Sequence, residues 1–89
     1  MKKDNLHIVI LDDHPLILSG LIDLFKRNQQ IVLTNTFEHP EEFKSFVSNN
    51  IVDVAIIDIR IFKSDAGLDM AKFVITKKPN TKVLIYSGN

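Results

Sequence analysis

Leu6-His7-Ile8-Val9-Ile10-Leu11-Asp12-Asp13, residues 6–13, is the stretch on which the fold turns. Its apolar part alternates nothing: both faces of an extended run would be hydrophobic. Strands of that kind belong inside a parallel sheet covered by helices on both sides. Two aspartates stop the run after Leu11, so it is too short for a signal-peptide core or a membrane span. Just beyond, the period changes. Leu18, Leu21, Ile22 and Phe25 recur at i, i+3, i+4 and i+7, which stripes one face of a helix from Pro15 to Arg27. Pro15 suits the first turn, where its missing N–H is no loss.

The same alternation continues to the end. Ile31–Phe37 reads as a second strand, and Pro40-Glu41-Glu42 opens a helix whose apolar face is Phe43, Phe46 and Val47. Ile51–Ile59 is a third, nearly continuous apolar strand. A third helix from about Asp65 to Lys77 closes on Lys77-Lys78 and Pro79-Asn80, and Lys82–Tyr86 is a fourth strand. The order is βαβαβαβ, with right-handed crossovers, in a single domain spanning residues 1–89.

Bulk properties narrow the function. The chain is 45% hydrophobic and 25% charged, with three glycines and three prolines, an ordinary globular composition. Eleven basic residues balance eleven acidic ones, so no global field draws the chain to nucleic acid or an anionic membrane. The absence of cysteine excludes disulfides, thiolate catalysis and cysteine zinc sites. A cytoplasmic protein is the expectation.

In open parallel sheets, ligands bind beyond the carboxyl ends of the strands. Strand 1 ends in Asp12-Asp13, strand 3 in Asp58, and strand 4 in Ser87-Gly88-Asn89. Like charges a few Å apart repel unless something occupies the cluster. Hard oxygen donors on a rigid frame suit Mg²⁺, which also takes a phosphate oxygen. An aspartate there can act as a nucleophile and form an aspartyl-phosphate. Plainer readings exist for each residue. Asp12-Asp13 could cap the following helix, Asp58 could end a buried strand, and Ser87 could be a turn residue. Together at three strand ends they favour a site. Asp53 reads as an ordinary strand-start aspartate, His14 as a helix-start residue, His7 and His39 as surface or edge residues, and Tyr86 as a strand residue without a functional role.

These residues carry a resemblance. Asp12-Asp13-His14-Pro15-Leu16 with Gly20-Leu21, then Ile56-Ile57-Asp58-Ile59-Arg60, then Leu84-Ile85-Tyr86-Ser87, resemble in order the response-regulator receiver domain of two-component signalling. The His-Pro after the acidic pair is most similar to the subgroup carrying a C-terminal helix-turn-helix output domain. The resemblance implies a flavodoxin-like sheet of strand order 2-1-3-4. It implies that Asp58 accepts a phosphoryl group from a sensor histidine kinase. It further implies that Asp13 binds Mg²⁺ with Asp58 and the main-chain carbonyl of Arg60, that Asp12 acts largely through a water, and that Ser87 bonds a phosphoryl oxygen. Such a module is a switch, not a turnover enzyme, and DNA would be bound by the output domain of a longer parent.

Two departures stand out. Phe62 replaces a usual proline and Gly67 is nine residues after Asp58 rather than eight, which suggests a longer, less rigid loop. The chain also carries no counterpart of the family's fifth strand, its lysine, or its last two helices. A partial receiver of this kind is expected to be impaired in phosphotransfer and to self-associate through the strand 4 edge and an uncovered sheet face. The competing readings are a pseudo-receiver that only binds proteins and a phosphatase with an aspartate nucleophile.

Overall fold

In the computed structural model, which describes residues 5–87, the opening apolar run is strand β1 (Leu6–Leu11). It is followed by α1 (Pro15–Lys26), β2 (Ile31–Phe37), α2 (Pro40–Asn49), β3 (Val54–Asp58), α3 (Ala66–Lys77) and β4 (Lys82–Tyr86). The four strands form one parallel sheet in the order β2-β1-β3-β4, the flavodoxin-like arrangement expected. β1 is central, and Val9, Ile10 and Leu11 are fully buried.

Helices cover both faces, unequally. Against α2 and α3, Val9, Leu11, Ala55 and Ile57 of the sheet pack with Phe43, Val47, Ala71 and Val74. Against α1 the buried set is smaller: Ile8, Ile10 and Ile56 with Leu18, and Leu21 and Phe25 partly buried beside them. Among the described residues β4 pairs only with β3, and its Leu84 and Ile85 are exposed.

One bulge matters to the packing. Ile8 pairs with Leu33 but Val9 pairs with Asn35, so Thr34 is skipped. Strict alternation would send Leu33 and Phe37 to the same face. The extra residue instead delivers Leu33 to the α1 side and Phe37 to the α2 side, where its ring meets Phe43 edge-on at 6.0 Å.

Four boundaries move from the sequence expectation, among them the end of β3, at Asp58 rather than Ile59. α1 ends one residue early, at Lys26, and α3 starts at Ala66. β3 begins at Val54, not Ile51, whose side chain is exposed. Asp53 closes off the strand start. Its main chain bonds His7 at 2.9 Å, and its carboxylate accepts the His7 N–H at 2.8 Å.

Candidate functional site: an acid pocket at the strand ends

The strand ends bring Asp12, Asp13 and Asp58 together, as the sequence reading expected, and add His14. One donor atom from each of the four lies within 4.8 Å of the others. Pairing carries one residue past β1, where the Asp12 N–H donates to the Phe37 carbonyl at 2.9 Å, and this fixes the first carboxylate.

Asp12 is fully buried and both of its oxygens are engaged. Oδ1 accepts the His14 main-chain N–H at 2.7 Å and lies 2.6 Å from the His14 ring Nδ1; Oδ2 accepts the Tyr86 hydroxyl. Asp13 is arranged differently. Its Oδ2 accepts the Phe62 N–H at 2.9 Å, while its buried Oδ1 has no hydrogen-bond partner among the described residues. Asp58 is fully buried, with Oδ1 accepting the Arg60 N–H at 3.2 Å and Oδ2 3.1 Å from His14 Nδ1. The Arg60 guanidinium turns away to the Lys63 carbonyl at 2.8 Å, so Arg60 serves the pocket through its main chain.

The electrostatics follow from this geometry. The hydrogen bond to Asp12 raises the His14 pKa above its ordinary 6.5, and the charges of Asp12, Asp13 and Asp58 add to it, outweighing desolvation. Burial, then the bond to Asp12, pushes the Tyr86 hydroxyl far above its usual range, so it stays a donor.

The β3–α3 loop takes up its extra residue in a defined turn. Ile61 and Ser64 exchange two main-chain bonds of 3.0 Å each, and the residues between them, Phe62 and Lys63, have φ of 52° and 61°. Two positive φ values in a two-residue hairpin are the mark of a type I′ turn. The extra residue is absorbed there. The Phe62 ring stacks on His39 at 5.4 Å, tying the turn to the start of α2. Behind Asp58, Gly67 brings α3 so close that a β carbon would lie 1.7 Å from the Asp58 carbonyl oxygen.

An open cavity of about 790 Å³ lies above the acids, lined by Asp13, His14, Asp58, Arg60, Phe62 and, on its rim, the exposed Ser87. Gly88 and Asn89 lie outside the described residues. The residues fit a hard divalent cation: carboxylate oxygens converge, and the buried Asp13 Oδ1 is left for a ligand to satisfy. Sequence reasoning gave no role to Tyr86 and read His14 as a helix-start residue. His14-Pro15 directly after two acids was the available signal for one; nothing local marked the other.

Comparison with known proteins agrees with this geometry. The chain is 22% identical over 85 residues to the uncharacterized transcriptional regulatory protein YxjL of Bacillus subtilis, matching 96% of this chain and spanning 38% of that protein's length. The signal receiver domain of the response regulator NarL from Mycobacterium tuberculosis superposes with a TM-score of 0.83 at 23% identity, over 98% of this chain and 69% of that one. The response regulator RcsB of Salmonella typhimurium does so with a TM-score of 0.83 at 20% identity, over 98% and 44%. At these identities the likeness is one of fold. The response regulator receiver domain matches residues 8–89, nearly the whole chain, and the protein belongs to that family of two-component signalling modules.

Proposed function

We propose that the chain is a phosphoacceptor that takes a phosphoryl group on Asp58 from the phosphohistidine of a sensor kinase, with Mg²⁺ bound beside it. The observation that carries this reading is the meeting of Asp58 with Asp12 and Asp13 at the floor of an open cavity. A carboxylate oxygen of Asp58 attacks phosphorus, the P–N bond breaks, and the kinase imidazole leaves with the bond pair. Mg²⁺ supplies charge neutralisation of the transferring group. Asp13 would hold it through the buried Oδ1, with Asp58 and the Arg60 carbonyl as further ligands, and Asp12, its oxygens already engaged, would act through a water. Ser87, on the rim, hydrogen-bonds a phosphoryl oxygen. The chain is a switch rather than a turnover enzyme.

RcsB has been solved bound to promoter DNA in the presence of a phosphomimetic, over 71% of which this chain aligns. By analogy, the parent protein controls transcription from the cytoplasm through a separate DNA-binding domain. Among the described residues no helix is long and apolar enough to cross a membrane. The test is beryllofluoride binding with Mg²⁺, followed by fluorine NMR. Binding to the wild-type chain and its loss in Asp58→Ala supports the reading. No binding in either leaves a protein-interaction module, and sustained hydrolysis of a phosphate ester points to a phosphatase.

A further inference from the structure

The phosphoacceptor reading gives the Phe62 ring no part, yet Phe62 lines the cavity above the acids. Its φ of 52° is a left-handed conformation that a bulky side chain rarely adopts, and such conformations gather at ligand sites. The residue is pinned. Its N–H donates to Asp13 Oδ2 at 2.9 Å, and the preceding Ile61 is fully buried. His39 stacks on the ring at 5.4 Å, with the two planes 24° apart. His39 is itself fixed, extended before Pro40 with its carbonyl accepting the Phe43 N–H at 3.2 Å. Although His39 covers one face of the ring, Phe62 remains 55% exposed. A hydrophobic ring is thus held firmly at the cavity wall with area still open.

Such a ring suits a flat aromatic ligand. Stacking adds to simple apolar burial, and a ring already in position loses little entropy on contact. In phosphoryl transfer the leaving group lies in line with the attacking oxygen, on the far side of phosphorus. With Asp58 at the cavity floor, the leaving group points outward, past the wall that carries Phe62. We infer that Phe62, backed by His39, stacks on the ring of the leaving group and so selects aromatic N-phosphoryl donors over donors without a ring. The inference rests on the phosphoacceptor reading and adds what discriminates between donors.

Two small donors, phosphoimidazole and phosphoramidate, test it on the 89-residue chain with Mg²⁺. In both, an Asp58 oxygen bonds to phosphorus and the P–N bond breaks. Its electron pair leaves on neutral imidazole or ammonia, each already carrying its protons. Phe62→Leu is expected to slow transfer from phosphoimidazole about threefold to tenfold, and from phosphoramidate less than about twofold. Phe62→Trp should restore the preference. In Asp58→Ala, which cannot consume the donor, NOEs should connect the Phe62 ring to the imidazole protons of phosphoimidazole, a readout that needs no change at Phe62. A parallel loss with both donors, an unchanged ratio between them, or the absence of those NOEs overturns the inference. Transfer that survives in Asp58→Ala, or that wild type shows with neither donor, would instead sink the phosphoacceptor reading on which it rests.

Discussion

Gly67→Ala tests the packing behind Asp58 most directly. A β carbon at this position would lie 1.7 Å from the Asp58 carbonyl oxygen and 2.7 Å from that of Ile59. Carbon and oxygen normally approach to about 3.3 Å, so α3 and the end of β3 must part by roughly 1.5 Å. The obstacles are main-chain atoms, held by the Leu68 N–H bond to the Ile59 carbonyl at 3.3 Å, and cannot swing aside. Elsewhere in a helix, replacing glycine by alanine would add up to about 1 kcal/mol of stability. Here overpacking, ordinarily about 1–3 kcal/mol, acts against it at the top of its range or beyond. A net loss of about 2 kcal/mol corresponds to a fall in Tm of about 8–16 °C for a domain of this size. The same displacement moves Asp58, and a misplacement of about 1 Å lowers the rate of a positioned reaction about a hundredfold. Thermal and urea unfolding, with beryllofluoride binding, measure both effects. A Gly67→Ala chain as stable as wild type, and binding beryllofluoride as tightly, would refute the reasoning.

Tyr86→Phe removes the donor to a fully buried carboxylate oxygen of Asp12 and should cost about 1.5–3 kcal/mol in urea unfolding; a loss below about 0.5 kcal/mol would contradict the hydrogen bond. In NMR titrations without divalent ions, the His14 ring should have its midpoint above 6.5, and added Mg²⁺ should lower it. Because the folded pKa is raised, the stability gained from protonated His14 is fully present below pH 6.5 and disappears as pH climbs through the folded value. A midpoint at or below 6.5 in the free chain would contradict this. The exposed Leu84 and Ile85 on edge strand β4 should make the 89-residue chain associate with rising concentration, and Leu84→Lys should reduce that; light scattering showing a monomer throughout would count against it.

Strands were legible in the sequence because each is a short apolar run ended by an unmistakable break. Asp12-Asp13 ends the first, and Glu38-His39-Pro40 follows the second. Where the break was weaker, the reading overran. Ile51 and Val52 continue the apolar run of β3, but Asp53 turns its carboxylate to the His7 N–H, a partner 46 residues away that no local pattern discloses. The acid pocket was legible for a topological reason, since parallel strands must present their carboxyl ends together. Tyr86 was not legible, because its hydroxyl meets Asp12 across 74 residues of chain and across the intervening strand β3. The added residue between Asp58 and Gly67 was visible, but its fate was not. A type I′ turn built from Phe62 and Lys63 defies the usual preference for asparagine and glycine, and it holds through Phe62 contacts to Asp13 and His39.

The inequality of the two cores has a consequence for the pocket's energetics. Asp58 and the Asp12-Asp13 pair follow strands of the larger core, whereas His14 leads into α1, whose only buried side chain is Leu18 while Leu16 and Leu24 lie exposed. A segment with so few buried contacts opens locally at far lower free energy than the whole domain unfolds. Molecules with α1 detached keep Asp12 and Asp13, which the Phe37 and Phe62 main chains hold, but lose the positioning of His14 at the helix start, and the apparent affinity for an occupant that needs it is scaled by the fraction that keeps α1 docked. Occupancy in turn acts as a latch on the first helix. In hydrogen exchange, the amides from Leu18 to Phe25 are therefore the ones a bound ion should slow most, while those of β3, already closed in, should hardly respond.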